Sequence, residues 1–184
     1  MMRNITAILL WLLVISAVPV SADAGNYFIG SGDILEISVW KDEALSRQIV
    51  VPPDEIISFP LIGDIDVKGM SITDLRNAVK VKISEFVPDA TISVILMQIN
   101  SLKAYVIGKV NNPGEFPISM DTSVMQMLAK AGGLNPFASP GGIHVLRRVK
   151  NDTISVPFNY KDVVKGEELK QNITLNRGDV IVVP

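Results

Sequence analysis

Short apolar runs of strand length, separated by turns rich in Gly, Pro, Asn and Asp, constrain the fold of this chain more than any other feature. Clear examples are ILEISVW at residues 34–40, YVIGKV at 105–110 and IHVLRRV at 143–149. Such runs, enriched in β-branched residues and bounded by turn residues, are typical of β-strands. Strands joined by hairpins, with few helical segments among them, predict an α+β architecture rather than alternating βαβ units.

The first half of the chain is predicted to contain several strands and one helix. The strands are expected at residues 34–40, 47–51, 56–59, 65–67 and 91–97. Ser71 is a good N-cap for the helix, and Asp74 three residues later completes a variant of the capping box. The predicted apolar face of the helix consists of Ile72, Leu75, Val79, Ile83 and Phe86. Residues 91–97 are apolar on both faces, so we expect this strand to be central in its sheet.

The second half is predicted to combine strands with a second, shorter helix in a similar way. Strands are expected at residues 105–110, 115–118, 143–149 and 153–158, and in the closing run after Gly178. The short helix should end at Gly132-Gly133, because glycine is favoured just after a helix C-terminus. The boundary falls near Asn100, which predicts one domain at residues 25–100 and another at 101–184. No Pro/Gly/Ser-rich linker separates them, so the two units should pack against each other.

The N-terminus has the layout of a secretory signal peptide. One basic residue precedes an apolar run at residues 5–18, and small residues follow it. We predict that the signal occupies residues 1–24 and is cleaved after Ala22 or Ala24. An uncleaved membrane anchor is the alternative, but a spanning helix needs about 20 apolar residues, and this run is shorter.

The composition narrows the classes of function. The chain has no cysteine, so an exported form can use neither disulfides nor a lipidated N-terminal cysteine, and its apolar core must stabilise it alone. The net charge is −2, from 17 basic and 19 acidic residues, and no basic block occurs. We therefore expect no nucleic acid among the partners.

Candidate catalytic residues are few. Carboxylates occur in close pairs, at Asp33 and Glu36, Asp54 and Glu55, and Asp64 and Asp66. A glycosidase needs two carboxylates facing each other across a sugar, whereas Asp33 and Asp179 follow glycines and are better explained as turn residues. His144 is the only histidine, and a metal site needs several ligands. We predict no catalytic residue, no metal site and no cofactor.

Candidate contacts for a ligand or a neighbouring subunit are easier to name. Arg147, Arg148 and Lys150 form the only basic cluster, which is a solvated strand end or a site for an anionic polymer. Trp40 and Tyr105 could stack on sugar rings, although we expect both to pack in the core. Gly132 and Gly133 end a helix and could in addition line a binding loop.

Several segments resemble one family of export proteins. YFIGSGDILEISVW at 27–40 and ISFPLIGDIDVKGMSITDLRNAV at 57–79 resemble the polysaccharide-export domain of outer-membrane export proteins of the Wza type. AYVIGKVNNPGEFPI at 104–118, MLAKAGGLN at 127–135 and NITLNRGDVIVVP at 172–184 resemble an SLBB domain, a soluble-ligand-binding β-grasp module. The resemblance implies a polysaccharide-export domain followed by a β-grasp-like SLBB domain.

The resemblance also implies a function. Proteins of this family form rings in the periplasm that guide exopolysaccharide or capsular polysaccharide to the outer membrane, and they are not enzymes. The implied partners are polysaccharide, an inner-membrane polysaccharide co-polymerase and further copies of the same chain. Tyr105, Gly132, Gly133 and the basic cluster then become candidate contacts to sugar or to a neighbouring subunit.

The chain departs from the Wza type in ways that bear on pore formation. It has no lipidated cysteine, a single SLBB-like module and no C-terminal amphipathic helix. We therefore expect that it does not perforate a membrane unaided and that a separate outer-membrane β-barrel supplies the pore. Asp54-Glu55 and Lys109 also differ from the family's usual residues. Two other functions stay open, a polysaccharide-modifying hydrolase and a generic periplasmic ligand-binding β-grasp module.

Overall fold

A three-stranded antiparallel sheet and one helix form most of the first half of the chain. The computed structural model describes residues 27–40 and 42–184, so the predicted signal peptide at 1–24 lies outside the described residues. The elements are β1 (Ile34–Val39), β2 (Asp42–Val50), β3 (Ile56–Phe59), β4 (Gly63–Asp66), α1 (Ile72–Ile83) and β5 (Ile92–Gln98). The sheet has the order β2-β1-β5, and β3 and β4 form a separate hairpin.

A five-stranded mixed sheet forms the second half. Its elements are β6 (Lys103–Gly108), β7 (Gly114–Pro117), α2 (Val124–Lys130), β8 (Ile143–Val149), β9 (Asp152–Phe158), α3 (Tyr160–Val164) and β10 (Val180–Val183), with a 3-10 turn at Leu169–Gln171 before the last strand. The order is β7-β6-β10-β8-β9. The predicted α+β class is confirmed. The expectation of hairpins rather than βαβ crossovers is wrong for β10, which inserts between β6 and β8 and pairs with β6 in parallel.

Local sequence explains how α1 begins and ends. The Ser71 side chain accepts a hydrogen bond from the Asp74 amide at 3.2 Å, and Asp74 Oδ2 accepts one from the Ser71 amide at 3.0 Å, which is the predicted capping box. Leu75, Val79 and Ile83 are buried as expected. The prediction that Phe86 belongs to this apolar face is wrong. The helix ends at Ile83, and the Phe86 side chain is 54% exposed.

The prediction of a central position for the last strand of the first half is wrong. β1 is the central strand, and β5 pairs on one side only. α1 packs against β5, while Ile95 and Met97 on its other face are each 47% exposed. Apolar residues on both faces therefore did not require a second neighbouring strand.

Each half has its own apolar core. One cluster includes Leu35, Ile37, Leu75 and Val79, and the other includes Val106, Leu128, Val145 and Ile181. Within residues 27–40 and 42–184, no helix has the length and apolar character needed to cross a membrane.

Hydrogen bonds join the two halves at Asp33. Its Oδ1 accepts from the amides of Asn100 and Ser101 at 3.0 and 2.9 Å, at the point where the chain passes from β5 to β6. From the second half, Arg177 Nη2 donates to the carbonyl oxygen of Phe28 at 2.7 Å. These contacts hold the start of the second sheet against the first turn of the chain.

Candidate functional site

The two Gly-Asp turns hold buried carboxylates with structural roles, as predicted. Asp33 Oδ2 accepts hydrogen bonds from the Gly30 amide at 2.8 Å, from Ser101 Oγ at 3.1 Å and from the Tyr27 hydroxyl. Asp179 Oδ2 accepts from the Asn176 amide at 2.8 Å. Both carboxylates are almost fully buried, so they organise the turns and do not face a cleft.

Titration of the Asp33 cluster follows from the same contacts. Burial raises the pKa of the Asp33 carboxyl, but hydrogen bonds from Tyr27, Gly30 and Ser101 outweigh burial and leave that pKa below its usual value. Burial, with the nearby Asp33 carboxylate, raises the pKa of Tyr27 to about 12. Asp33 is thus a fixed anion and Tyr27 a fixed donor at neutral pH, which does not suit either group for proton transfer.

The outer face of the five-stranded sheet brings together the aromatic and basic residues that could contact a ligand. β10 pairs with both neighbours so that Tyr105, Val180 and Leu146 lie side by side on this face. The alternate residues Val106, Ile181 and Val145 point into the core. The resulting sheet-face depression has a volume of about 540 Å³ and is lined by Tyr105, Leu146, Arg148, Thr153, Arg177, Gly178 and Val180.

The sheet-face depression has a positive lining. Arg148 and Arg177 are among the lining residues and no carboxylate is. Nη2 of Arg177 already donates to the Phe28 carbonyl oxygen, whereas Arg148 is exposed on β8. Beside it, Lys103 Nζ and Glu115 Oε1 form an ion pair at 2.7 Å, and the hydrogen bond from Lys103 lowers the pKa of Glu115. The Arg148 guanidinium, the remaining donors of Arg177 and an exposed phenol ring on one face can bind an anionic sugar by charge-assisted hydrogen bonds and ring contact.

The predicted contact residues do not all lie in this depression. Tyr105 and Arg148 line it, whereas Lys150 occupies the β8–β9 turn with a positive φ of 56°. Arg147 points the other way, and its Nη2 lies 2.6 Å from Asp179 Oδ2 in a largely buried ion pair. Nε and Nη2 of Arg147 are therefore used inside the protein.

Gly132 and Gly133 lie at the end of α2 and contact the β6–β7 turn. Asn111 Nδ2 donates to the Gly132 carbonyl at 2.6 Å, and the Asn111 amide donates to the Gly133 carbonyl at 3.1 Å. Gly132 has a φ of 76°, and a Cβ there would lie 2.6 Å from Asn112 Nδ2. The pair thus joins the helix end to the turn, and neither glycine lines the sheet-face depression.

Core packing, which we expected for both aromatic residues, is wrong for each of them. Trp40 follows the last residue of β1 and is 73% exposed. Tyr105 is 38% exposed because it alternates along β6 with the buried Ala104 and Val106. Sequence reasoning also missed Arg177, which is isolated in sequence from the other basic residues and reaches the depression only because β10 lies beside β8.

The other candidate groups serve local structure. Asp54 and Asp66 each accept a hydrogen bond from a backbone amide two residues later, and Asp64 accepts one from Ser58 Oγ. His144 is half-buried on β8, with Nδ1 3.3 Å from the carbonyl oxygen of Gly142. In the part of the chain that the structure describes, no group of three or more acidic, histidine or cysteine residues could hold a metal ion.

Comparison with known proteins identifies the family. The model of the family described as "Polysaccharide biosynthesis/export protein" matches residues 21–97, and that of the SLBB domain matches residues 102–183. Together they cover nearly all of the chain beyond the predicted signal peptide. The protein belongs to the polysaccharide export family, and the resemblance found in its sequence is confirmed.

Curated relatives carry matching names. The chain is 30% identical to the polysialic acid transport protein KpsD of Escherichia coli over 63% of this chain and 22% of the relative. It is 28% identical to the EPS I polysaccharide export outer membrane protein EpsA of Ralstonia nicotianae over 90% of this chain and 49% of the relative. It is 24% identical to the capsule polysaccharide export outer membrane protein CtrA of Neisseria meningitidis serogroup B over 88% of this chain and 44% of the relative. The chain thus spans less than half the length of each of these relatives.

Proposed function

We propose that this protein is a non-enzymatic component of exopolysaccharide or capsular polysaccharide export across the outer membrane. In this proposal it acts in the periplasm, after removal of the signal peptide, as a homo-oligomeric ring through which the polymer passes. Residues 25–100 serve as the polysaccharide-export domain and residues 101–184 as the SLBB domain. The family matches to both halves support this assignment, and the names of the relatives support the cargo.

The observation that carries a direct role with the cargo is the sheet-face depression. Tyr105, Arg148 and Arg177 line one depression on the outer face of the five-stranded sheet. We propose that this surface contacts the moving polymer, and that Lys150 at the adjacent β8–β9 turn adds positive charge. Exposed guanidinium groups hold a polymer through many weak contacts, which permits movement better than one tight site does.

The proposed partners come from the family. An inner-membrane polysaccharide co-polymerase would deliver the polymer, and a separate outer-membrane β-barrel would supply the pore. Gly132 and Gly133 are proposed to shape the β6–β7 turn as a contact for a neighbouring subunit rather than for sugar, because they hold that turn in place.

Deletion of the gene and complementation test the proposal. Cells without the protein should lose surface polysaccharide, and the unaltered gene should restore it. Arg148→Ala should restore less polysaccharide, whereas Arg76→Ala should restore it fully, because Arg76 is exposed on α1, in the other half of the chain. Normal surface polysaccharide in the deletion strain would refute the export function.

An enzyme assay separates the hydrolase alternative. Purified protein incubated with the polysaccharide should produce no new reducing ends. New reducing ends that disappear in Asp64→Asn or Asp66→Asn would favour a hydrolase. Polysaccharide binding without any export defect in the deletion strain would favour a generic ligand-binding module.

A further inference from the structure

A second surface, on the first half of the chain, combines an exposed tryptophan with hydroxyl and carboxylate groups. The Trp40 pocket has a volume of about 370 Å³ and is lined by Ser38, Val39, Trp40, Asp42, Glu43, Thr91 and Ser93. It lies where β1 ends and where β2 and β5 begin. Tyr105, Arg148 and Arg177 belong to the other half, so this pocket is distinct from the sheet-face depression.

The backbone around the pocket is fixed by hydrogen bonds. The Trp40 amide donates to the Thr91 carbonyl at 2.9 Å, which continues the β1–β5 pairing to the rim. Asp42 Oδ1 accepts from the amides of Ala44 and Leu45 at 3.1 and 3.3 Å, which holds that carboxylate at the start of β2. A tryptophan at 73% exposure on such a fixed rim presents its indole ring to solvent.

The chemistry of the lining matches a sugar ring. One face of a pyranose carries C–H groups that can lie flat on an indole, while its edge carries hydroxyl groups that need hydrogen-bond partners. Trp40 offers the flat apolar surface. The hydroxyls of Ser38, Thr91 and Ser93 and the carboxylates of Asp42 and Glu43 offer partners around it. A mostly apolar pocket with a few polar groups at its rim is the usual form of a small-ligand site.

The charge of the lining selects among sugars. Asp42 and Glu43 are both acidic, and the segment from Ser38 to Glu43 keeps a net negative charge even when Lys41, which lies outside the described residues, is counted. An anionic sugar would place its carboxylate beside these groups, and like charges repel. The pocket therefore favours a neutral sugar, in contrast to the cationic sheet-face depression.

We propose that the Trp40 pocket is a binding subsite for a neutral pyranose unit of the exported polymer. The proposal rests on the proposed export function for the identity of its ligand as cargo. The indole stacks on the C–H face of the sugar, the rim hydroxyls donate and accept hydrogen bonds, and the carboxylates accept them from the sugar's hydroxyl groups. The first half of the chain thereby contacts the polymer independently of the second.

Fluorescence titration tests the pocket directly, because Trp11 and Trp40 are the only tryptophans. The protein is purified from cells with the substitution Trp11→Phe, so that Trp40 is the only indole whether or not residues 1–24 are removed. Hexaoses of glucose, mannose and galactose serve as neutral probes, and oligogalacturonate serves as the anionic probe. At least one neutral hexaose should shift the Trp40 emission saturably, and oligogalacturonate should not.

Variants complete the test. Calorimetric affinity for the binding hexaose should fall at least about tenfold in Trp40→Ala, which corresponds to ~1.4 kcal/mol, and should recover partly in Trp40→Phe. Phe137→Ala, which removes an aromatic ring that is 80% exposed in the other half, should leave affinity unchanged. Absence of a shift with all neutral hexaoses, or equal affinity in Trp40→Ala, overturns the proposal.

Two further outcomes separate this proposal from the export function. If the protein with Trp40 intact binds none of the neutral hexaoses and Trp40→Ala supports normal export, the pocket proposal fails while the export function stands. If the neutral hexaose binds but deletion of the gene leaves export intact, the export function fails while the subsite stands. A lower sedimentation coefficient of Trp40→Ala, with no sugar binding by the parent protein, would assign the indole to a subunit contact and overturn the subsite.

Discussion

The same dipeptide, Gly-Asp, precedes the first and the last strand, and at each place the aspartate has different donors. Asp33 accepts hydrogen bonds from backbone amides and from the hydroxyls of Ser101 and Tyr27. Asp179 accepts hydrogen bonds from the Arg147 guanidinium and from one amide. Turn roles for both were predictable, because a Gly-Asp turn before a strand favours an Asp carboxylate that caps backbone amides. Their distant partners were not predictable, because Asp33 to Ser101 and Asp179 to Arg147 are contacts between residues far apart in sequence.

Asp33→Asn should destabilise the protein by about 2–3 kcal/mol, because it replaces one acceptor oxygen by an amide that faces the Gly30 donor in a buried site. Since the pKa of Asp33 is lowered in the folded state, its contribution is present above the unfolded pKa of about 3.9 and is lost as the pH falls through the folded value. Urea unfolding at pH 7 and pH 3 should therefore show a smaller difference between wild type and variant at pH 3. Asp121→Asn, at an exposed turn, is the control, and an equal effect of both variants would contradict the role of Asp33.

Tyr27→Phe should remove one donor to Asp33 and cost about 1–2 kcal/mol at neutral pH. The pKa of Tyr27 is raised to about 12, above the unfolded value of about 10. The contribution of its hydroxyl is thus complete below pH ~10 and is lost as pH rises through the folded pKa. Ultraviolet titration of wild type minus variant should show one phenolate forming near pH 12; formation near pH 10 would mean that Tyr27 does not donate to Asp33.

At the scale of elements, local signals were readable and long-range pairing was not. The capping box at Ser71 and the strands at 143–149 and 153–158 depend on residues close in sequence, and the structure confirms them. The parallel pairing of β6 with β10, and the edge position of β5, depend on which strands are adjacent in space. Tyr105 and Arg148 could therefore be named as candidates, but Arg177 could not be grouped with them before the position of β10 was known.

Gly108→Ala tests the parallel pair. Gly108 has a φ of 94°, and a Cβ there would lie 2.0 Å from the carbonyl oxygen of Val183 in β10. Backbone cannot move aside as a side chain can, so we expect a loss of about 3 kcal/mol or more, with the five-stranded sheet affected first. Gly141→Ala is the control, since a Cβ there makes only ordinary contacts. Thermal unfolding of the two variants, followed by circular dichroism, gives their melting temperatures. Equal values would contradict the close approach of Gly108 to the Val183 carbonyl.

At the scale of the whole molecule, two units with separate cores present two chemically different surfaces. The first unit carries the neutral-to-acidic Trp40 pocket and the second carries the cationic sheet-face depression. Asp33 and Arg177 connect the units through hydrogen bonds to Ser101 and Phe28. Under the two binding proposals, a polymer with both neutral and charged sugars would contact both units of one chain, each through weak and separate interactions.

Assembly is the prediction that belongs to the whole molecule. A 20.0 kDa chain cannot encircle a polymer alone, whereas identical subunits joined by heterologous contacts close into a ring when the rotation permits. Sedimentation velocity of the purified protein should show a species larger than the monomer whose fraction rises with concentration. Arg148→Ala should sediment like the wild type, because its guanidinium lies on the proposed cargo face, so that any export defect reflects loss of polymer contact. A strictly monomeric wild type at the highest attainable concentration would contradict the ring, and a monomeric Arg148→Ala would move Arg148 from the cargo face to the subunit contact.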